Sequence, residues 1–351
     1  MRTMTKEKLL VYFTGTVVAI AMTALLYSLT DNPRDGWDLH AADILLPVLL
    51  FVGWSWRLLR RPHWSVLALG GLFVLSAIWS VRPELTLYTS LKLTLILITF
   101  STLREVIWKN RKEFFAPIII IGAVALAGSL IAQNILGSNS RAWGVSGSPN
   151  VTSGHAMILL LNTSLWLAPV WGVLLATTGS RAALLAFLVV VPVLLRSQKL
   201  LIILVLLILI PSALLFGNAY QYLRDPVNQE GRWDQWVESV ERIGWIGEGF
   251  DTTTQEKATN PHNVYLLLLQ ELGTVFGAAA IGLLAWNCRT PTMAAILVVC
   301  IFDHYFLTTA QGTYLLGSMM AIAQVRERKV QRKEESHGQE KAKAFCLQPI
   351  R

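Results

Sequence analysis

HAMILLLNTSLWLAPVWGVLLATT, residues 155–178, is the stretch whose reading decides the fold. It is apolar and long enough to cross a bilayer once, since about 20 residues of helix span the hydrocarbon core. Near its centre lie Asn162, Thr163, Ser164 and Pro169. A proline inside a helix removes a hydrogen bond and clashes with the preceding turn, so an unbroken helix here is disfavoured. A single crossing and an in-and-out path put every later loop on opposite sides of the membrane.

The basic residues choose between the two paths, because Lys and Arg in short loops stay cytoplasmic. They cluster at Arg2, Lys6 and Lys8; at Arg57, Arg60 and Arg61; and at Arg104, Lys109, Arg111 and Lys112. Further clusters are Arg196 with Lys199, and Arg326, Arg328, Lys329, Arg332 and Lys333. The apolar runs around them are 9–29, 43–58, 65–80, 86–102 and 114–133, then 182–195, 199–217, 263–286, 291–307 and 311–325. If 155–178 crossed once, Arg196, Lys199 and the basic tail would fall outside. If it enters and returns near Leu165–Pro169, every cluster is cytoplasmic. The reading is therefore an all-α polytopic membrane protein of about ten full spans. To these it adds a re-entrant hairpin or two short spans near 155–178. Broken backbone at membrane depth must be covered by other helices.

Composition agrees. Of 351 residues, 54% are hydrophobic and 15% charged, and the mean hydropathy is +0.50. Too little charge remains to cover a soluble protein of this size. The net charge of +8 lies in the short loops and reads as an orientation signal, so no nucleic-acid partner is expected. Cys288, Cys300 and Cys346 fit no metal spacing and read as free thiols. The first run follows a basic Met1–Lys8 segment and reads as an uncleaved span. Residues 1–325 form a single transmembrane domain, and 326–351 a charged, disordered cytoplasmic tail. Both termini are expected inside.

The expected outer loops are 30–42, 134–154 and 218–262. In the last, Arg224, Arg232, Arg242 and Lys257 are outnumbered by Asp225, Glu230, Asp234, Glu238, Glu241, Glu248, Asp251 and Glu256. Within it, Trp233, Trp236, Val237, Val240 and Ile243 recur at helical spacing, which predicts an amphipathic surface helix over 233–245.

Candidate chemistry gathers on that outer face. Arg141 to Asn150 is a Gly/Ser-rich turn before an apolar run. Thr178-Gly-Ser180-Arg181 opens a span; a helix N-terminus beside an arginine suits phosphate, although such an arginine also snorkels to headgroups. Gly231-Arg232 offers a second anion ligand, or a partner for Glu230. His262, the one histidine of the long loop, follows Asn260-Pro261 and precedes Asn263. A histidine titrates near neutrality and suits proton transfer. Asp303 with His304, then Gln311 with Gly312, are secondary candidates at the end of a span. There is no Walker A loop, no His-Glu-x-x-His and no acidic metal cluster, and Gly247-Glu-Gly249 lacks the strand and helix of a nucleotide loop.

The order of these motifs resembles the O-antigen ligase superfamily, which includes O-antigen ligases, O-antigen polymerases and bacterial O-oligosaccharyltransferases. The matching residues are Gly147-Ser-Pro-Asn150, Thr178-Gly-Ser-Arg181, Gly231-Arg232-Trp-x-x-Trp236, Gly247-Glu-Gly249-Phe250, and Pro261-His262-Asn263 leading to Glu271-Leu-Gly273. The resemblance covers roughly 140–320. It implies a C-type glycosyltransferase-like helical bundle in the bacterial inner membrane. Such proteins transfer an undecaprenyl-diphosphate-linked glycan to an acceptor hydroxyl at the periplasmic face, with neither metal nor cofactor and with inversion. Arg181 and Arg232 would hold the donor diphosphate, His262 would act as base, and Asn263 would support it. Arg141, Asn150, Ser180, Trp236, Asp303 and Gln311 would line the substrate site. The acceptor is lipid A–core for a ligase, or a second lipid-linked glycan for a polymerase. The sequence departs from the pattern between Asn150 and Arg181, where relatives have room for two full spans. A transporter or flippase would use broken helices as well, but would place its polar residues at mid-membrane. Gly144-Val-Ser146-Gly147 resembles the rhomboid protease nucleophile motif, without a matching histidine in a neighbouring span.

Overall fold

The computed structural model describes residues 4–23, 26–28, 38–135, 149–163, 167–178, 180–195, 230–252, 261–309 and 311–325. Arg141, Ser146, the apolar run 199–217, Cys346 and the tail 326–351 lie outside them.

The described chain is predominantly helical. In order it runs α1 (Lys6–Ala21), α2 (Ala41–Ser55), α3 (Trp64–Leu75), α4 (Pro83–Lys109), α5 (Arg111–Ile135), α6 (Pro149–Asn162) and α7 (Ala168–Thr178). It continues with α8 (Arg181–Leu195), α9 (Glu230–Glu241), α10 (Val264–Trp286), α11 (Pro291–Val299), α12 (Tyr305–Thr308) and α13 (311–325). One departure from the all-helical expectation is a short antiparallel pair, β1 (Leu26–Ser28) and β2 (Asp38–His40), with Leu26 opposite His40. It ends α1 earlier than the apolar run 9–29 suggests. A single crossing by that whole run would have needed helix up to its end.

Local chemistry starts the helices. Thr5 caps α1. His40 and Asp43 form a capping box on α2, the ring accepting from Ala42 N and the carboxylate from His40 N. Pro83 and Pro291 stand in first turns, where no N–H is needed. By length and composition α4 and α10 are able to cross a membrane. Around the buried core of Trp171, Phe73, Phe100, Phe114 and Tyr314, the outward side carries Ile44, Phe51, Trp54, Ile78 and Val275. An apolar exterior of this kind is one that lipid would cover.

Segment 155–178 is broken where the sequence suggested. α6 ends at Asn162 and α7 starts at Ala168, with Pro169 in its first turn. The two helices pack on each other, and the Trp171 indole N–H donates to Thr163 Oγ1 across the bend (2.9 Å). At 14 and 11 residues they are about 21 and 17 Å long. Yet α6 runs the length of α11. Asn150 at its start donates to Asp303 beyond the end of α11, and Asn162 at its end donates to Thr292 at the start of α11. The geometry is thus two short helices packed on each other, with α6 alongside α11.

The contacts also sort the ends of the bundle. Lys8 pairs with Glu113 (2.7 Å), Arg60 with Glu105 (3.6 Å), and Arg104 donates to Arg61 O. Arg111 reaches Asn162 (2.8 Å), at the bend between α6 and α7. The first three basic clusters therefore share one end. The opposite end holds His40 against Thr23 O, Val81 against Glu248 O, and Asn150 against Asp303.

Candidate active site

The second apolar run to be interrupted is 291–307, expected as one helix. α11 stops at Val299, the chain turns through Cys300–His304, and α12 is a separate single turn. The interruption is held by side chains. Asp303 Oδ1 accepts from the His304 backbone N–H (2.8 Å), and Oδ2 accepts from the Asn150 amide (2.7 Å). Cys300 O accepts from Val264 N (2.8 Å). That backbone bond ties the end of α11 to the start of α10.

His262 stands just before that start. Its φ is 46°, in the left-handed region that costs a residue with a Cβ about 1–2 kcal/mol. Two neighbours hold it there. The Asn263 side chain caps α10, its Oδ1 accepting from Tyr265 N (2.9 Å) and Leu266 N (3.1 Å). The Trp236 indole N–H donates to Pro261 O (2.6 Å). Strained backbone fixed from both sides is a pattern of functional sites.

The His262 and His304 rings are 5.1 Å apart, centroid to centroid, tilted by 44°. Asp303 is buried and both histidines are half-buried. His304 Nδ1 lies 2.5 Å from Thr308 Oγ1, whose own proton is directed to His304 O (3.1 Å). In the tautomer that gives its ring N–H to Thr308, the lone pair is on Nε2. α6 closes the floor. Ser153 donates to Asn150 O (2.6 Å), and at Gly154 a Cβ would collide with the Tyr305 ring.

Other predicted residues occupy different places. Ser180 is buried at the start of α8, where its Oγ faces Ala183 N at 3.5 Å. Arg181 is the first residue of α8 and Arg232 lies in the first turn of α9. Arg141 is outside the described residues. Gln311 opens α13 and donates to Thr23 O at 3.4 Å, beside His40 on the same carbonyl. Trp236 and Asn263 serve the backbone that carries His262. The amphipathic helix is Glu230–Glu241, starting earlier and ending sooner than 233–245. Beyond it, residues 244–250 dock on a kink in α10. Gly249 N donates to Glu271 O (2.8 Å), Glu248 N to Gln270 O (3.3 Å), and Thr274 N to Gly244 O (2.9 Å). Gly273 makes the kink at φ 80°. The glycine pair of the loop therefore has a backbone-docking role.

His304 and Thr308 are the residues that spacing undervalued. The signal was the Asp303-His304 pair with a hydroxyl four residues on, hidden by reading 291–307 as continuous helix.

No family model matches the chain. Over 299 residues it is 25% identical to a protein named O-antigen ligase from Pseudomonas aeruginosa, a match covering 77% of this chain and 68% of that relative. This similarity, added to the order of the motifs, supports placing the chain in the O-antigen ligase superfamily.

Proposed function

We propose that the chain transfers a glycan from undecaprenyl diphosphate to an acceptor hydroxyl at the periplasmic face of the inner membrane, the acceptor being lipid A–core. The observation that carries the reading is the His262 turn. It is a strained histidine, clamped by Trp236 and Asn263, facing Asp303 and His304. The likeness to an O-antigen ligase supports the reaction class.

In the proposed step the acceptor oxygen attacks the anomeric carbon as the bond to the diphosphate breaks. The acceptor proton goes to His262, and undecaprenyl diphosphate leaves with its charge held by Arg181 and Arg232. Direct displacement inverts the anomeric centre. Two guanidiniums at a forming diphosphate replace a metal's charge, and a positioned base typically adds about 10²–10⁴ in rate. The buried Asp303 carboxylate faces the imidazolium that results. The clustering of Lys8, Arg60, Arg104 and Arg111 at the opposite end supports a topology with that end cytoplasmic. In that topology about ten spans and the short α6–α7 pair leave both termini inside.

Expression in a ligase-deficient strain that makes lipid-linked O-antigen tests the reading. The lipopolysaccharide ladder returns with the wild-type chain and is lost in Arg181→Ala, Arg232→Ala and His262→Ala. A ladder that persists in all of these variants refutes the site. Accumulation of single-repeat glycans in a chromosomal knockout refutes ligation and assigns polymerisation.

A further inference from the structure

Around the proposed base the same end of the bundle gathers two further side chains with metal-ligating atoms. The geometry points to a binding site for a divalent transition metal of the zinc, nickel or copper class, formed by His262, Asp303 and His304. One ligand atom from each residue lies within 4.8 Å of the other two. A tetrahedral site with bonds of about 2.0–2.2 Å needs neighbouring ligands about 3.4 Å apart. Metal binding would draw the half-buried His262 ring toward the buried Asp303 and the Thr308-held His304.

The ligand set selects the metal. Imidazole suits zinc, copper and nickel, whereas magnesium and calcium prefer oxygen ligands. Three protein ligands leave a fourth position for water or a substrate oxygen.

The surroundings are those of a metal site. Metal-bound histidines are generally oriented by a hydrogen bond at the other ring nitrogen, and ligating carboxylates are themselves hydrogen-bonded. Thr308 holds His304 Nδ1, and the tautomer with its proton there presents Nε2 as the ligand atom. The Asn150 amide holds Asp303 Oδ2. The φ of 46° fixes the His262 backbone opposite both.

A bound metal takes the lone pair that His262 needs to accept the acceptor's proton. The site therefore acts as an inhibitory switch, a consequence that rests on the proposed role of His262. The binding itself does not rest on it.

The test uses the purified full-length chain in detergent, carrying a histidine-free tag and stripped with EDTA. Zn²⁺ is titrated by calorimetry, Co²⁺ by its visible absorption, and Mg²⁺ serves as control. One tight Zn²⁺ per chain is expected, with a tetrahedral Co²⁺ spectrum and no response to Mg²⁺. His304→Gln and His262→Gln each weaken Zn²⁺ binding by more than ~100-fold, and Thr308→Val by ~10–100-fold, as for other outer-shell changes. His337→Gln, in the charged tail, leaves it unchanged. Melting of each apo variant verifies folding, and Zn²⁺ raises the Tm of the wild type but not of His304→Gln. If a ligand variant fails to fold, Thr308→Val reads the same site with a smaller change. Undiminished Zn²⁺ affinity in His304→Gln or Thr308→Val overturns the proposal, as does loss of binding in His337→Gln. Zn²⁺ added to a ligation assay separates the two readings. Tight binding with full ligation refutes the base role and leaves the metal site standing. Absent binding refutes the metal site alone.

Discussion

Replacing Lys92 by Met tests how the bundle tolerates charge. Asp43 on α2 is buried and takes three donors. These are Lys92 Nζ on α4 (2.8 Å), Tyr314 OH on α13 (2.9 Å) and the His40 backbone N–H (2.9 Å). The carboxylate side chain is 6% exposed and the lysine 21%. Removing one partner of a buried pair typically costs about 3–5 kcal/mol, because the remaining charge is left uncompensated. The partial exposure of Lys92 discounts this toward the lower end, about 3 kcal/mol. Asp43→Asn is milder, since Lys92 has room to extend toward water, and costs about 1–2 kcal/mol for the mismatched amide. The double variant Lys92→Met, Asp43→Asn removes the stranded charge and lands nearer to the Asn single variant than to the sum of the two. Reversible unfolding of the purified chain in mixed micelles, as a double-mutant cycle, measures the coupling. A Lys92→Met cost below about 0.5 kcal/mol, or strict additivity, refutes the reasoning. Either result would mean that the pair is effectively solvated.

Trp236→Phe keeps the ring and removes the 2.6 Å bond to Pro261 O. It lowers ligation about tenfold while stability falls by only about 1 kcal/mol, and an unchanged ladder would show that the clamp is idle. Gly273→Ala puts a Cβ at φ 80°, against the Trp245 carbonyl and Gly247 N. The backbone conformation alone costs about 1–2 kcal/mol, and faster hydrogen exchange over 244–252 is expected; exchange that stays slow contradicts the docking. The hydrogen bond from Lys8 holds the Glu113 carboxyl below the usual carboxylate range. Its stabilisation is therefore present at neutral pH and fades as pH falls through the depressed value. The Tm gap between wild type and Glu113→Gln, worth at most about 1 kcal/mol for a surface pair, closes on acidification.

Helices were legible from the sequence because lipid-length apolar runs are local signals. The start of α10 followed from the apolar run beginning at 263, with Asn263 read as a support for His262 and not as the cap it is, and the break between α6 and α7 followed from charge parity and Pro169. The interruption at Cys300–His304 was not legible, because it has no proline or glycine. It exists because Asp303 is held by Asn150, which lies on a helix far away in sequence. Likewise the sequence denied Gly247 and Gly249 a nucleotide loop without showing their task, which is to dock on Glu271 and the Gly273 kink. In both cases the deciding partner is tertiary. The two candidate arginines differ again. Sequence put each beside a helix start, and the backbone does begin α8 at Arg181 and hold Arg232 in the first turn of α9.

The bond from Val264 N to Cys300 O explains why these particular residues converge. It joins the beginning of α10 to the end of α11 through backbone atoms, so the separation of His262 and Asp303 does not depend on flexible side chains. α6 then lies along α11 from Thr292 to Asp303, which brings Asn150 to the same point. The start of α10 leaves orphan N–H groups, which Asn263 Oδ1 and Cys300 O satisfy, while Asp303 accepts from His304 N and from the Asn150 amide in the turn after α11. The hydrogen bonds that keep broken backbone tolerable in an apolar bundle are thus the ones that orient the candidate base. Substituting Asn150 or Asp303 should loosen the turn at the end of α11 first, and through the Val264–Cys300 bond reach the His262 turn, which Trp236 and Asn263 also hold.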